Sequence, residues 1–102
     1  MTSDPEKALA RCCTRAKVIK ALAHPSRILI AETLSSRGEA CVQDLAAVVQ
    51  SDISTISKHL SIMKKAGLVC AEKRGLHQFY RICCDCLGEF FDCVDSIADD
   101  PG

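Results

Sequence analysis

The cysteines are the residues of this chain best suited to do chemistry. There are eight in 102 residues, and four fall within the fourteen-residue stretch "RICCDCLGEFFDCV", from Arg81 to Val94. Thiols of this kind bind soft metal ions, oxidise to disulfides, or pack as small apolar side chains. Which use applies depends on the elements that position them.

The composition predicts one globular domain spanning residues 1–102. Hydrophobic residues make up 48% of the chain and charged residues 25%, an ordinary globular balance. No apolar run approaches the ~20 residues that cross a bilayer, and the opening "MTSDPEKALARCC" lacks the pattern of a secretory signal. We therefore expect a cytoplasmic protein, and that reducing compartment disfavours a framework of structural disulfides.

The net charge of zero hides an uneven distribution. Residues 51–84 carry six basic and two acidic side chains, whereas residues 85–102 carry six acidic and no basic ones. This pattern predicts that the middle of the chain meets a polyanion while the acidic tail turns away from it. A solvated surface with no such partner is the alternative.

Apolar spacing predicts four helices in the first two thirds of the chain. The first covers residues 6–22, and the second runs from Ser26 to Ser35 after Pro25, ending near Gly38. The third lies in "ACVQDLAAVVQ" and the fourth in "ISTISKHLSIMKKAGLV", where Gly67 suits a left-handed cap. The residues predicted to face inward are Leu9, Cys12, Ala16, Ile19, Leu22, Ile28, Leu29, Leu34, Leu45, Val48, Val49, Ile53, Ile56, Leu60 and Met63.

The remaining sequence changes character. "LVCAEKRGLHQFYRIC" is rich in β-formers on both sides of Arg74-Gly75, which predicts a two-stranded hairpin. Helical spacing returns from Asp85 to Ala98. Two helices joined by a tight turn and followed by a basic hairpin predict a mainly α fold, the winged helix-turn-helix.

This fold class predicts contact with double-stranded DNA through the fourth helix and the hairpin. Hydroxyl, lysine and histidine side chains fall largely opposite the apolar face of that helix, where they reach phosphates or base edges: Ser54, Thr55, Lys58 and His59. Lys64 and Lys65 add phosphate contacts, and Arg74 and His77 lie at or near the tip of the hairpin. The alternative to DNA binding is an ordinary amphipathic helix whose polar face contacts only solvent.

Several stretches together resemble the ArsR/SmtB family of small, dimeric, metal-sensing repressors. They are "KALAHPSRILI", "GEACVQDLA", "STISKHLSIMKKAGLV" and "EKRGLHQFYRI", in the family's order and spacing. The resemblance implies a homodimer joined by its first and last helices, a recognition motif that also includes Ser57, and a wing turn at Arg74-Gly75. Ile53 departs from the glutamine that the family often has before the "S-T" pair, so this chain lacks that hydrogen-bonding group.

The resemblance also implies three areas for soft-metal ligands, and this chain has cysteines in all of them. Cys12 and Cys13 lie in the N-terminal arm, and Cys41 matches the first thiol of the family's third-helix motif, in which Gln43 replaces the second. Cys84 and Cys86 match the pair that opens the last helix in related zinc sensors. Neighbouring thiols complete the candidate set: Cys83 and Cys93. Packing in the core or in the dimer interface is the alternative for each thiol.

The sequence therefore predicts a homodimeric repressor that a thiophilic ion releases from its operator. As(III) is the first candidate, and Sb(III), Cd(II) and Pb(II) are the others. A redox or reactive-sulfur sensor on the same fold is one alternative, and a constitutive DNA-binding module is another. No phosphate loop, nucleophile elbow or acid/base pair is present, so an enzyme is not predicted.

Overall fold

A computed structural model describes residues 4–99, so the ends of the predicted domain, residues 1–3 and 100–102, lie outside the described part. Five helices and three strands follow one another along the chain: α1 (Pro5–Leu22), α2 (Pro25–Arg37), β1 (Ala40–Cys41), α3 (Val42–Val49), α4 (Ile53–Lys65), β2 (Val69–Arg74), β3 (His77–Ile82) and α5 (Leu87–Ala98). The mainly α winged helix-turn-helix with its hairpin is thus confirmed.

The helix ends follow from local chemistry. The Asp4 side chain accepts a hydrogen bond from the backbone N–H of Glu6, and His24 does the same for Ser26. A proline fills the first position of both helices, where its missing N–H costs nothing. Gly38 ends α2 with φ of 92°, a left-handed conformation that other residues avoid. The second helix, Pro25–Arg37, is longer than the predicted Ser26–Ser35 because the proline begins it and Gly38 ends it.

The helix-turn-helix consists of α3, a short break and α4. Gln50 ends α3 in the left-handed region, with φ of 58°, and Asp52 caps α4. Gly67, with φ of 84°, confirms the predicted left-handed residue after α4. The third helix is shorter than predicted because Ala40 and Cys41 form a strand instead.

The sheet has three antiparallel strands in the order β1-β3-β2. The predicted hairpin is confirmed, with Val69 opposite Ile82 and Arg74 opposite His77 around a turn at Gly75 and Leu76. No pattern in the sequence predicts β1, since two residues are too few to show a period of two. This strand joins the start of the helix-turn-helix to the wing, because Ala40 pairs with Tyr80.

One hydrophobic core joins α2, α3, α4 and the base of the wing. Its fully buried side chains are Ile30, Leu34, Leu45, Ile56, Leu60 and Met63. Six of the residues predicted to face inward are exposed: Leu9, Cys12, Ala16, Ile19, Leu29 and Ile53. In α2 the buried stripe passes through Ile30 and Ala31 rather than Leu29. Ile53 stands at the first turn of α4, before the helix reaches the core.

The last helix begins at Leu87, two residues after the predicted Asp85, and Cys86 is its N-cap. Leu87 is its buried anchor, while Phe91 packs on the core from the side. Most of the apolar face of α5 therefore lies outside the core of a single subunit.

Candidate nucleic-acid interface and thiol sites

The exposed face of α4 carries the polar residues that the sequence predicted. Ser54, Ser57 and Lys58 are exposed, and Thr55 is half-buried. Asp52 organises this end of the helix, since its carboxylate accepts hydrogen bonds from the Thr55 N–H at 2.7 Å and the Ser54 hydroxyl at 3.0 Å. These bonds hold the pKa of Asp52 below its usual value. The first turn is therefore pre-ordered before any ligand arrives.

His59 lies where α4 meets the start of α2. Its Nδ1 accepts a hydrogen bond from Arg27 Nε at 3.1 Å, and its ring centroid lies 4.6 Å from that of His24. Burial, together with the nearby His24 and Arg27, lowers its pKa. In the free subunit this side chain joins two helices, so any contact with DNA must come from its other ring nitrogen.

The wing holds Arg74 between two carboxylates. Its guanidinium donates to both oxygens of Glu39, at 2.8 and 2.9 Å, and to Glu72 at 2.7 Å, and it lies over the Phe79 ring. These bonds raise the pKa of Arg74 further. A DNA phosphate would therefore have to displace a carboxylate, a competition that the sequence did not indicate. His77, opposite Arg74 across the turn, is exposed.

Lys64 is also exposed, at the C-terminal end of α4. It lies in the last turn of the helix together with Lys65. Both ammonium groups are therefore available to solvent or to a polyanion.

The predicted thiol ligands are spread over the subunit. Cys12 and Cys13 are exposed on α1, Cys93 is exposed on α5, and Cys41 is half-buried where β1 ends. Within residues 4–99, no three Cys, His, Asp or Glu side chains lie close enough together to hold a metal ion. One subunit in this conformation therefore does not assemble the full ligand set.

Cys84 and Cys86 are free thiols separated by one residue. Hydrogen bonding with Cys84 is the first cause that raises the pKa of Cys86. Both thiols are exposed, in the turn between β3 and α5. Two thiols at this spacing can bind one soft ion or oxidise together.

Cys83 is paired differently from the prediction. The structure joins it to Cys70 by a disulfide across the base of the hairpin, with 5.9 Å between the Cα atoms. The expectation that disulfides are disfavoured thus differs from the structure, and Cys83 can serve as a ligand only after reduction. Sequence analysis did not single out Cys70. The hairpin register was the available signal, because it places both side chains diagonally on one face.

A cavity of about 250 Å³ lies between α1, α2 and α5. Apolar side chains dominate its lining, among them Ile19, Leu22, Phe90, Phe91 and Val94. Leu9 on α1 and Ile97 on α5 are further apolar side chains on the same two helices, and they are 65% and 77% exposed. No helix in the described part of the chain is long and apolar enough to span a membrane.

Comparison with known proteins agrees with this geometry. Residues 24–70 match the family model of bacterial regulatory proteins of the arsR family. An uncharacterised HTH-type transcriptional regulator of Methanocaldococcus jannaschii is 38% identical over 82 residues, which cover 80% of this chain and 92% of the relative.

Two further relatives are resistance regulators. The cadmium resistance transcriptional regulatory protein CadC homolog of Staphylococcus aureus is 40% identical over 66% of this chain. The arsenical resistance operon repressor of Escherichia coli is 35% identical over 65% of this chain. The matched segments span only 55% and 56%, respectively, of these two relatives.

The solved homodimeric winged helix-turn-helix DNA-binding domain of a Mycobacterium bovis protein superposes with a TM-score of 0.80 at 32% identity. The match covers 97% of this chain and 91% of that one. Helix-turn-helix, wing and sequence thus agree, and the chain belongs to the ArsR family of DNA-binding transcriptional regulators.

Proposed function

We propose that the chain acts as a homodimeric repressor that a thiophilic metal or metalloid ion releases from its operator. As(III) is the first candidate, ahead of Sb(III), Cd(II) and Pb(II). The turn before α5 carries the proposal, since Cys84 and Cys86 are both free and exposed there. It places two soft ligands at the start of α5, the helix whose apolar face a second subunit would cover.

The DNA-binding part rests on the ordered face of α4. In a two-fold dimer, each α4 enters the major groove of one half-site, and the half-sites lie about one helical turn apart. Ser54, Thr55, Ser57 and Lys58 face the bases and phosphates. Arg74 and His77 approach the backbone beside the groove.

The metal-binding part starts from the Cys84–Cys86 pair. A thiol that binds arsenous acid would transfer its proton to one As–OH group, so that each new As–S bond replaces an As–O bond and releases one water molecule. Two such bonds use Cys84 and Cys86, and a third thiolate completes the trivalent ion. One candidate for the third thiolate is Cys83 after reduction. The others are thiols that a second subunit would bring close to the α1/α5 side: Cys12, Cys13, Cys41 and Cys93.

Release follows if the bound ion changes how the two subunits sit against each other. The two α4 helices must match a fixed half-site spacing, so a small rotation at the α1/α5 side misplaces both. Allosteric coupling typically amounts to about 1–3 kcal/mol. That corresponds to roughly 5- to 150-fold weaker operator binding.

The test combines an arsenite titration with DNA binding. Reduced protein is titrated while sulfur-to-arsenic absorption in the ultraviolet and the anisotropy of a labelled operator duplex are recorded. Cys84→Ser/Cys86→Ser should abolish both signals. Cys12→Ser/Cys13→Ser, Cys41→Ser and Cys93→Ser, assayed separately, show which thiol supplies the third bond. Arsenite that binds without releasing DNA would contradict the proposed mechanism.

The Cys70–Cys83 disulfide favours a second candidate, a thiol-based redox sensor. Two thiols lose two protons and two electrons to an oxidant such as hydrogen peroxide, which becomes two water molecules. The resulting bond joins the base of the wing, the element predicted to contact the DNA backbone. Oxidation would then change DNA affinity through the wing.

Treatment with peroxide or persulfide separates this candidate from the first. A redox sensor loses DNA on oxidation, recovers it with dithiothreitol, and becomes unresponsive as Cys70→Ser/Cys83→Ser. A metal sensor responds to arsenite at low micromolar concentration with that pair reduced. A protein indifferent to both treatments is a constitutive DNA-binding module.

A further inference from the structure

A second cavity, of about 490 Å³, lies between α1, α2 and the C-terminal end of α4. Four of its seven lining residues are basic: Lys17, Lys20, Arg27 and Lys65. The other three are small or apolar: Ala21, Ile62 and Ala66. This open depression, the basic cavity, is therefore bordered by four basic side chains, and none of the described residues that line it is acidic.

These charges are not neutralised by neighbouring carboxylates. In the part of the chain that the structure describes, ion pairs closer than 4.0 Å involve only Arg74. Arg27 is held in place by neutral acceptors, with Nε on His59 Nδ1 at 3.1 Å and a second nitrogen on the Ala21 carbonyl at 3.5 Å. Four unpaired cations gathered around one cavity repel one another, so an anion bound there relieves that repulsion.

The position of the basic cavity indicates which anion it binds. Successive residues of a helix are 100° apart around its axis, so Ser54, Lys58 and Lys65 lie along one stripe of α4. The buried residues Ile56, Leu60 and Met63 lie on the opposite side of the helix. Lys65 is about 16 Å along the axis from Ser54, whereas the major groove is about 12 Å wide. A helix that reads bases with its N-terminal residues therefore carries Lys65 beyond the groove edge, to a phosphate strand.

We propose that the basic cavity binds backbone phosphates of DNA flanking the half-site that α4 reads, with Lys17 and Lys20 of α1 as the added contacts. This inference rests on the proposed DNA-binding function. It extends the interface from the helix-turn-helix and wing to the first helix. The lysines are exposed and flexible, which suits a row of phosphates along a strand and contributes affinity without reading sequence.

The chain offers a matched control on the same helix. Arg11 and Arg15 are exposed on α1 as well, but lie roughly 180–200° around the axis from Lys20 and Lys17. Lys17→Ala/Lys20→Ala and Arg11→Ala/Arg15→Ala therefore remove the same charge from opposite faces. Lys17→Arg/Lys20→Arg keeps the charge at the cavity and should retain binding. Circular dichroism and light scattering verify that all variants keep their fold and oligomeric state.

The probe is a labelled duplex selected by the wild-type protein from random sequences, titrated by anisotropy at several salt concentrations. Each phosphate contact contributes about 0.9 to the slope of log affinity against log salt. For the Lys17→Ala/Lys20→Ala variant, the magnitude of this salt slope should be smaller than for the wild type by roughly 1 to 2. Its loss of DNA affinity relative to the wild type should therefore shrink about tenfold between about 50 and about 200 mM salt. The Arg11/Arg15 variant should keep the wild-type slope.

A shortened duplex that lacks the flanking base pairs provides the second readout. Shortening the duplex should lower the affinity of the wild type more than that of the Lys17→Ala/Lys20→Ala variant, which keeps only Arg27 and Lys65 at the cavity. Equal losses in the two double variants would overturn the inference and leave the proposed function standing. Failure of the wild-type protein to select any duplex would overturn both.

Inorganic phosphate and ATP, added at constant ionic strength, test a small anion as the occupant instead. Under the proposal they compete weakly and equally with DNA binding by the wild type and by Lys17→Ala/Lys20→Ala. Saturable competition at millimolar concentration, seen with the wild type and lost in that variant, would assign the cavity to a free phosphorylated ligand and reject the DNA contact.

Discussion

Thiol and imidazole groups dominate the chemistry of this chain at the scale of single residues. Hydrogen bonding with Cys84 raises the pKa of Cys86, and burial, followed by the nearby His24 and Arg27, lowers the pKa of His59. Both shifts favour the neutral form of the group. Ligand binding by Cys86, and the hydrogen bond by which His59 joins α4 to Arg27 of α2, therefore depend on pH.

Replacing Cys84 by alanine should make Cys86 more reactive. The Cys84 contact raises the pKa of Cys86, so its removal returns the pKa toward the ordinary value and increases the thiolate fraction near neutral pH. Alkylation of Cys86 by iodoacetamide, followed by mass spectrometry between about pH 7 and 9, measures this. Cys93→Ala is the control and should leave the Cys86 profile unchanged, and an unchanged profile in Cys84→Ala would refute the contact.

Acidification should weaken the fold through His59. Its folded pKa lies below 6.5, so the unfolded chain binds more protons, and the free energy of unfolding falls as pH drops below about 6.5. His59→Gln keeps an acceptor for Arg27 without titrating there and should lose this component of the pH dependence. His59→Ala should cost about 1 kcal/mol at neutral pH, since it removes one hydrogen bond. Urea unfolding at about pH 5.5 and 7.5 provides the comparison, and an identical pH dependence in wild type and His59→Gln would contradict it.

At the scale of elements, the wing is tied to the rest of the domain in three ways. The β1 strand pairs with β3, Arg74 bridges from β2 to Glu39 just before β1, and the Cys70–Cys83 disulfide closes the hairpin base. These three links fix the position of the wing relative to α3 and α4. They also connect the half-buried Cys41 to the hairpin.

Removing the carboxylate of Glu39 should strengthen DNA binding modestly. Arg74 is shared between Glu39 and Glu72 in the free protein, so Glu39→Gln leaves one fewer competitor for a phosphate. We expect a gain of a few fold in operator affinity by anisotropy at low salt, and a loss for Arg74→Ala. Glu32→Gln removes an exposed carboxylate from α2 without touching the wing and is the matched control. A loss of affinity in Glu39→Gln would mean instead that the ion pair positions the wing.

At the scale of the whole molecule, one subunit leaves apolar surface uncovered. Phe90, Val94 and Ile97 on α5 and Leu9 and Ile19 on α1 are all more than 40% exposed. A contiguous face of this kind is typical of an interaction surface. A second copy of the chain that covers it would bring the thiols of two subunits together and set the distance between two α4 helices.

Charges placed on that face should separate the subunits. Burying two aliphatic side chains typically contributes about 3–6 kcal/mol, so Val94→Asp/Ile97→Asp should raise the dimer dissociation constant by more than about a hundredfold. Sedimentation equilibrium measures the change. Leu76→Asp is the control, because Leu76 is 96% exposed in the turn at the wing tip and does not line the cavity between α1, α2 and α5. A double variant that remains dimeric would place the interface elsewhere.

Local patterns in the sequence were sufficient to predict most of the helices and strands. Proline, histidine, aspartate and glycine mark helix ends through hydrogen bonds and φ angles that involve only nearby residues, and apolar spacing identified α4 and the hairpin. These signals also located the polar face of α4 and the thiols around Cys84 and Cys86. The resemblance carried by the same stretches led to the correct family.

Contacts between distant residues required the tertiary structure. The Arg74–Glu39 bridge spans 35 positions and the Arg27–His59 bond spans 32, and no local period encodes such pairs. The same holds for the basic cavity, which gathers lysines and an arginine from three helices. The sequence by itself determined which chemical groups are present and which helices carry them. Only packing decided which groups meet, because burial and charge pairing depend on distances in space rather than on separation along the chain.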